Sequence, residues 1–302
     1  MEPLKQKIKN FYWGLDGRKI PLGLGCAWIG RSADFKADAS LLERCYEEGA
    51  RYFDTSRSYG ESEAALGVFF KGIERETFFI ATKSRYDFKE PGAFEAFRQR
   101  FYQSFERLGV EKIDLFQIHD TENYDVCVDT VIPFLEDRRA EGLIDYIGFG
   151  MRSLVEHQKA MKSGRVDSAL SYGDYYLTNH GAANAIAEAK RLGICFINSS
   201  PMMFGLWKTD APTYRGGTTS DHRYHLANRM KALCKSIGVD IIAAALQDSL
   251  HDNDIDILLN GIARPDNLES TLRAMRTQIF PEQWAQIDAL RHTFEDFYDH
   301  II

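Results

Sequence analysis

The stretch "TFFIATKSRYDFKEPGAFEAFRQRFYQSFERLGVEKIDLFQIH", Thr77 to His119, holds one complete structural unit. "TFFIATK" is nearly all apolar before Lys83, the pattern of a strand covered on both faces. "AFEAFRQRFYQSFERLG" has helical spacing and stops on Gly109, a C-cap signal. "IDLFQIH" is a second short apolar run, ending at His119. Strand, helix and strand in that order predict two parallel strands joined by a crossover.

The same unit recurs in both directions along the chain. Upstream, "IPLGLGCAW" precedes the helical "SLLERCYEEGA", and "RYFDTS" precedes "SEAALGVFFKG". Downstream, "VDTVIPFLEDRRAEG" is followed by "DYIGFG" and "SLVEHQKAMKSG", then by "VDSALSY" and "ANAIAEAKRLG". "ICFINSS" leads through a long polar loop to "HLANRMKALCKSIG", and "IDILLNG" leads to "PDNLESTLRAMRTQ". Eight such units in 302 residues predict an α/β fold, a (β/α)8 TIM barrel forming a single domain over residues 1–302. The Asp-Gly turn in "FYWGLDGRKIPL" adds an N-terminal β-hairpin. "GVDIIAAALQDSL" is Ala-rich and is read as an extra C-terminal helix before the last strand. Gly23 and Gly25 in "PLGLGCAWIG" do not make a dinucleotide fingerprint, because Trp28 stands where the third glycine is required.

Composition narrows the function. Hydrophobic residues make up 44% and charged residues 27%, ordinary for a globular protein. A net charge of -7 without a basic stripe argues against a nucleic-acid partner. Five scattered cysteines without a Cys-x-x-Cys pair read as reduced thiols, and no apolar run is long enough to span a bilayer. A cytoplasmic protein, monomeric or weakly homo-oligomeric and without a membrane partner, is expected.

In a barrel the C-terminal strand ends converge on the rim where chemistry occurs. Asp54 ends one strand, with Tyr59 in the following loop; Lys83 ends the next, and His119 and Asp120 the one after. The set suits proton transfer at an alcohol or carbonyl oxygen. A cation about 4 Å from a phenol contributes roughly 4 kcal/mol at an effective dielectric of about 20. That exceeds the ~3–4 kcal/mol that lowers a tyrosine by two to three pKa units. Lys83 would therefore tune Tyr59, with Asp54 holding the ammonium and His119 orienting the substrate oxygen. Plainer roles compete: Asp54 as a helix N-cap, Ser58 and Glu61 as a capping box, Tyr59 as packing, Asp120 as a surface residue. Trp28, after the first strand, is a candidate wall for a ligand. Gly205 to His225 is long for a barrel loop and is read as a lid, with Trp207 and Lys208 over a ligand. His222 and His225 have no carboxylate companion, so no metal site is expected.

Around these residues the sequence resembles the aldo-keto reductase family. "YFDTSRSYGESEAALG", "IATKS" and "IDLFQIHD" are similar to that family's aspartate–tyrosine, lysine and histidine segments, and the likeness runs in order from about Pro21 to Arg276. It implies an NAD(P)-dependent oxidoreductase with Tyr59 as general acid/base, Lys83 and Asp54 as its tuning pair and His119 as orienter. It implies a nicotinamide dinucleotide, NAD in preference to NADP, along Gly25, Cys26, Asp54, Gly150, Tyr172, Ser200, Met202, Gly205, Leu206, Arg264 and Asn267. Gly150 and Met151 replace the family's usual Ser-Asn pair. Ser171 or Tyr172 takes the place of its strand-six glutamine. Gly261, Ile262 and Asn267 replace polar residues that grip a ribose 2′-phosphate, which leaves Arg264 as the one cation there. The His119-Asp120 pair and "SYGDYY" look most like the sugar-dehydrogenase branch that includes L-galactose and L-fucose dehydrogenases. That implies a sugar or aldehyde substrate held by Trp28, Tyr59, His119 and Asp120, oxidised at C1 to a lactone or reduced in the reverse sense. Two other readings stay open: a metal-dependent hydrolase using Asp54, His119 and Asp120, and a cofactor-binding regulatory protein without turnover.

Overall fold

Eight parallel strands close on themselves in the computed structural model of the chain, which describes residues 2–33, 35–121, 123–207 and 222–294. An antiparallel hairpin, β1 (Trp13–Leu15) and β2 (Arg18–Ile20), comes first; Asp16 and Gly17 at its tip both have positive φ, as a two-residue type I′ turn requires. The barrel strands are β3 (Leu22–Gly25), β4 (Tyr52–Asp54), β5 (Phe79–Arg85), β6 (Ile113–His119), β7 (Ile144–Gly150), β8 (Ser168–Tyr172), β9 (Cys195–Ser199) and β10 (Ile257–Gly261). Each pairs with the next, and β10 closes on β3 through Leu258 opposite Leu22. The expected (β/α)8 barrel is the observed fold, and "IIAAALQDSLH" is a helix, Ile241–His251. Asp240 caps it by accepting the Ile242 N–H at 2.9 Å.

Side chains alternate across each strand, so residues two apart share a face. Tyr52, Phe79, Ala81, Leu115, Leu170, Ile197, Ile257 and Leu259 form the interior cluster, with the Tyr52 and Phe79 rings stacked at 4.8 Å. Gly23 has a spatial role here: a Cβ on it would come within 2.8 Å of both Tyr52 and Leu259. The alternate residues face the helices. Phe53 packs on Phe69, Phe70 and Phe78, and Phe116 packs on Phe97 and Phe101. Burying each such ring contributes about 1.5–3 kcal/mol.

The barrel floor is closed by a segment with no expected structure. Helix Leu4–Lys7 and the 3-10 turn Ile8–Phe11 bring Leu4, Ile8 and Phe11 into the interior cluster. Three carboxylates near the floor repeat one arrangement on alternate strands. Asp114, Asp167 and Asp256 accept the backbone N–H of Ile80, Ile147 and Phe196 at 2.7, 2.9 and 2.8 Å, and pair with Arg75, Arg139 and Lys5. The Ser58–Glu61 capping box is not formed. The helix begins at Ser62 without a side-chain cap; Ser58 donates its N–H to Ser56, and Glu61 pairs with Arg107.

Candidate active site

The floor and side walls fix the opposite rim, where the short loops after β4 and β6 need little freedom to place their side chains. The β4–β5 and β5–β6 registers set Asp54 beside Ala81 and Lys83 beside Gln117, and His119 stands opposite Gly150 on β7. Lys83 is buried and donates to Asp54 Oδ1 and, at 2.9 Å, to the Thr55 carbonyl. Gln117 Nε2 donates to Asp54 Oδ2 at 3.2 Å, so both carboxylate oxygens are occupied. The Lys83 ammonium lies 5.0 Å from the centre of the Tyr59 ring, whose edge meets the His119 ring at a centroid distance of 5.8 Å. Asp54, Tyr59, Lys83 and His119 are thus brought together.

Burial and neighbouring charge act against each other in this cluster. Burial disfavours the Lys83 charge, yet Asp54 and Tyr59 outweigh it and hold the lysine as an ammonium beyond its ordinary range. Burial pushes Tyr59 above its ordinary value, although Lys83 pulls it down. The expected net lowering of the phenol is therefore not found: it counted the cation's attraction but not the desolvation of the phenolate. Burial, with Lys83 and Arg85 nearby, holds His119 well below the ordinary histidine range, so its ring is neutral at neutral pH.

A cavity of about 660 Å³ opens above these residues, within the size range of small-molecule and cofactor sites. Gly25 and Cys26 line it at β3, Ser200, Met202 and Gly205 after β9, and Arg264 and Asn267 after β10. Trp28 lines it too and is 41% exposed despite its size, with the Arg31 guanidinium over its ring. Tyr172 reaches in and donates its hydroxyl to Asp120 Oδ1 at 3.1 Å; Asp120 Oδ2 lies 3.4 Å from His119 Nε2. Asp120 and Ser200 carry positive φ without being glycine, a strained backbone at the points where β6 and β9 enter the cavity. Trp207 is buried at the cavity edge and donates to the Pro201 carbonyl at 2.8 Å.

Two expected cofactor residues, Gly150 and Leu206, do not line the cavity. Gly150 sits beside the Lys83 stem, 3.6 Å from where a Cβ would stand, and Leu206, like Met151, is buried in the outer core. Ser171 faces away on β8 and donates to Asp174 at 3.0 Å, which leaves Tyr172 in the glutamine's place. Arg264 is exposed and paired with Asp266, and Asn267 Oδ1 accepts the Ala263 N–H at 3.3 Å. The proposed lid from Gly205 to His225, including Lys208, falls mostly on residues 208–221, outside the described residues, as does the side chain of His222.

Two residues of the site carried no expectation, Gln117 and Ser56. Ser56 Oγ is 3.0 Å from His119 Nδ1, donates to the Lys83 carbonyl at 3.0 Å and accepts the Ser58 N–H at 3.1 Å. Spacing was the available signal, since Gln117 stands two residues before His119 and Ser56 two after Asp54.

The aldo/keto reductase family model matches residues 21–292. The chain belongs to the aldo/keto reductase family. It is 28% identical to a D-threo-aldose 1-dehydrogenase of Pseudomonas sp, over 91% of this chain and 95% of that protein. It is 29% identical to the L-galactose dehydrogenase of Arabidopsis thaliana, over 89% of this chain and 88% of that protein. Among solved structures, the holo form of aldo-keto reductase AKR11C1 from Bacillus halodurans shares the fold. The TM-score is 0.75 at 21% identity, over 92% of this chain and 95% of that one. Membership makes this reductase an NAD(P)-dependent oxidoreductase, and the hydrolase reading has no support beside it. Among the described residues no group of three His, Cys, Asp or Glu is placed to hold a metal ion, and no helix is long and apolar enough to cross a membrane.

The residues fit a nicotinamide dinucleotide. Gly25 and Gly261 leave the wall beside Trp28 free of side chains, and the exposed indole offers a broad apolar surface to a flat ring. The N-terminus of helix Pro265–Arg276 opens at the far end, where backbone N–H groups favour an anionic ligand.

Proposed function

We propose that this reductase is an aldose 1-dehydrogenase, oxidising the C1 hydroxyl of a cyclic aldose to the lactone, or reducing an aldehyde in the reverse sense. The observation that carries the reading is the buried Lys83–Asp54 pair under Tyr59, with the hydrogen-bonded Tyr172 and Asp120 at the same cavity mouth. The nicotinamide, when bound, supplies the acceptor for hydride from C1. Tyr59 takes the hydroxyl proton, and the fixed Lys83 charge stabilises the phenolate that this requires. Asp54 and Gln117 hold the ammonium in place. His119 and Asp120 orient the sugar by hydrogen bonds, since a carboxylate accepts from hydroxyl groups. Gly25, Cys26, Trp28, Ser200, Met202, Gly205 and Asn267 line the cofactor's path.

NAD is the preferred cofactor on this reading. Arg264 is already paired with Asp266, so a ribose 2′-phosphate would meet a carboxylate beside the only cation expected there. The test is a panel of aldoses, including L-galactose, L-fucose and D-arabinose, followed by nicotinamide absorbance with NAD and with NADP. Turnover to a lactone with NAD favoured supports both statements. Tighter binding of NADP overturns the cofactor preference, and inertness toward every aldose with brisk aldehyde reduction overturns the substrate assignment.

A further inference from the structure

A second cavity, about 440 Å³, opens beside the candidate site, and Ser58 and Arg85 line both. Three guanidiniums line it: Arg57 from the loop after β4, Arg85 from the end of β5 and Arg100 from helix Ala93–Leu108. Side chains on a strand alternate, so Arg85 follows Phe79 and Ala81 on the interior face of β5 and stands at its mouth. Neutral oxygens hold two of the three. Arg57 donates Nε and Nη2 to Gln103 Oε1, each at 3.3 Å, and Arg100 donates to the Arg85 carbonyl at 3.3 Å. A guanidinium has five N–H donors in a fixed fork, so each keeps further donors. Asp87 and Glu90 line the same recess, yet none of the three guanidiniums forms an ion pair among the described residues; Asp87 instead accepts the Lys89 N–H at 3.3 Å.

Three cations with two carboxylates leave the recess positive in a chain of net charge -7, and like charges gathered together repel one another. An oxyanion among them relieves that repulsion and accepts charge-assisted hydrogen bonds from more than one fork. The proposed dinucleotide path runs along β3, β9 and β10, whereas β5 stands across the barrel from β9, on the substrate's side. We propose that Arg57, Arg85 and Arg100 form an oxyanion subsite for the substrate, an aldose that carries a carboxylate or a phosphate monoester at the end away from C1. The guanidiniums fix the charged end and thereby the carbon presented to Tyr59. The assignment to a sugar rests on the dehydrogenase reading; the oxyanion subsite does not.

Rates are compared for D-galactose and D-glucose, their 6-phosphates and their uronic acids, and for D-arabinose with its 5-phosphate. In the wild type kcat/KM for one anionic class exceeds that of the neutral parent by about tenfold, and which class leads tells phosphate from carboxylate. Arg57→Gln and Arg85→Gln each lower that ratio about tenfold, the effect of one lost charge-assisted hydrogen bond. Neither side chain is buried, so both variants fold. A second readout needs no turnover. With saturating NAD present to occupy the dinucleotide's own phosphate sites, and ionic strength held with sodium chloride, inorganic phosphate raises the wild-type unfolding midpoint. The rise disappears in Arg57→Gln/Arg85→Gln. No rise in the wild type, or an equal one in the double variant, overturns the subsite. If phosphate stabilises the wild type alone but neutral sugars turn over fastest, the assignment to the substrate is overturned. If no sugar turns over at all, the dehydrogenase reading fails while the midpoints still report on the arginines.

Discussion

At the scale of single residues the proposed function separates the candidate site into groups assigned to the chemistry and groups that hold them. Tyr59→Phe removes one hydroxyl beneath the cavity and leaves the cofactor wall intact, so hydride transfer should fall by about 10²–10⁴-fold. Cofactor affinity should stay within about twofold; near-normal single-turnover rates would remove Tyr59 from its role. Lys83→Met behaves differently, because Asp54 loses its buried counter-charge. Breaking such a pair costs about 3–5 kcal/mol, whereas replacing both partners by neutral groups is often tolerated. Urea unfolding should therefore show a large loss for Lys83→Met and recovery of most of it in Asp54→Asn/Lys83→Met, with activity absent from both. Recovered activity in the double variant would show that the charge is not needed. Asp54, Tyr59, Lys83 and His119 were legible because strand ends carry function in a barrel and their residue types are chemically loud. Ser56 and Gln117 were not: their spacing from Asp54 and His119 hints at a shared side, but a serine between Thr55 and Arg57 or a glutamine between Phe116 and Ile118 does not say what it will touch. The net direction of the Tyr59 shift was also beyond the sequence, because it depends on how deeply the loop buries the ring.

At the scale of elements the alternation of apolar strands with glycine-ended helices was sufficient for the barrel, the hairpin and the helix Ile241–His251. Gly109 and Gly193 end their helices with positive φ, as read from the sequence, whereas Gly72 does not and its helix stops at Phe70. The barrel plug was missed although its signal is present: Leu4, Ile8 and Phe11 are spaced four and three apart, the interval of a buried helical face. Packing between helices is harder to read, because a small residue does not announce its neighbour. A Cβ on Gly67 in helix Ser62–Phe70 would lie 2.1 Å from the Arg107 carbonyl oxygen in helix Ala93–Leu108. Backbone cannot swing aside as a side chain can, so Gly67→Ala should force the two helices apart and cost about 1–3 kcal/mol. Gly72→Ala is the control, with nothing within 4 Å of the added carbon. Equal denaturation midpoints for the two variants would show that the contact between the helices is slack.

At the scale of the whole molecule, the end of the barrel opposite the candidate site carries three repeated carboxylates that tie neighbouring strands. Asp114, Asp167 and Asp256 each tie a strand to its neighbour through a backbone N–H, and burial raises each one's pKa despite the cation beside it. Each carboxyl therefore keeps its proton to a higher pH in the folded chain than in the unfolded one. Between the unfolded and folded pKa values the fold binds more protons, and stability falls as pH rises through that window. The contribution is fully present below the ordinary carboxylate range and is lost as pH climbs through the raised values. The triple variant Asp114→Asn/Asp167→Asn/Asp256→Asn keeps an oxygen to accept each N–H but cannot titrate. Urea midpoints measured from neutral pH down to about 4 should show the wild type gaining on the variant as acid is added, since about 3.9 is the unperturbed aspartate value. If the wild type instead loses ground on acidification, the ion pairs with Arg75, Arg139 and Lys5 dominate over burial. The floor would then be held by charge attraction, and its three carboxylates would be depressed rather than raised.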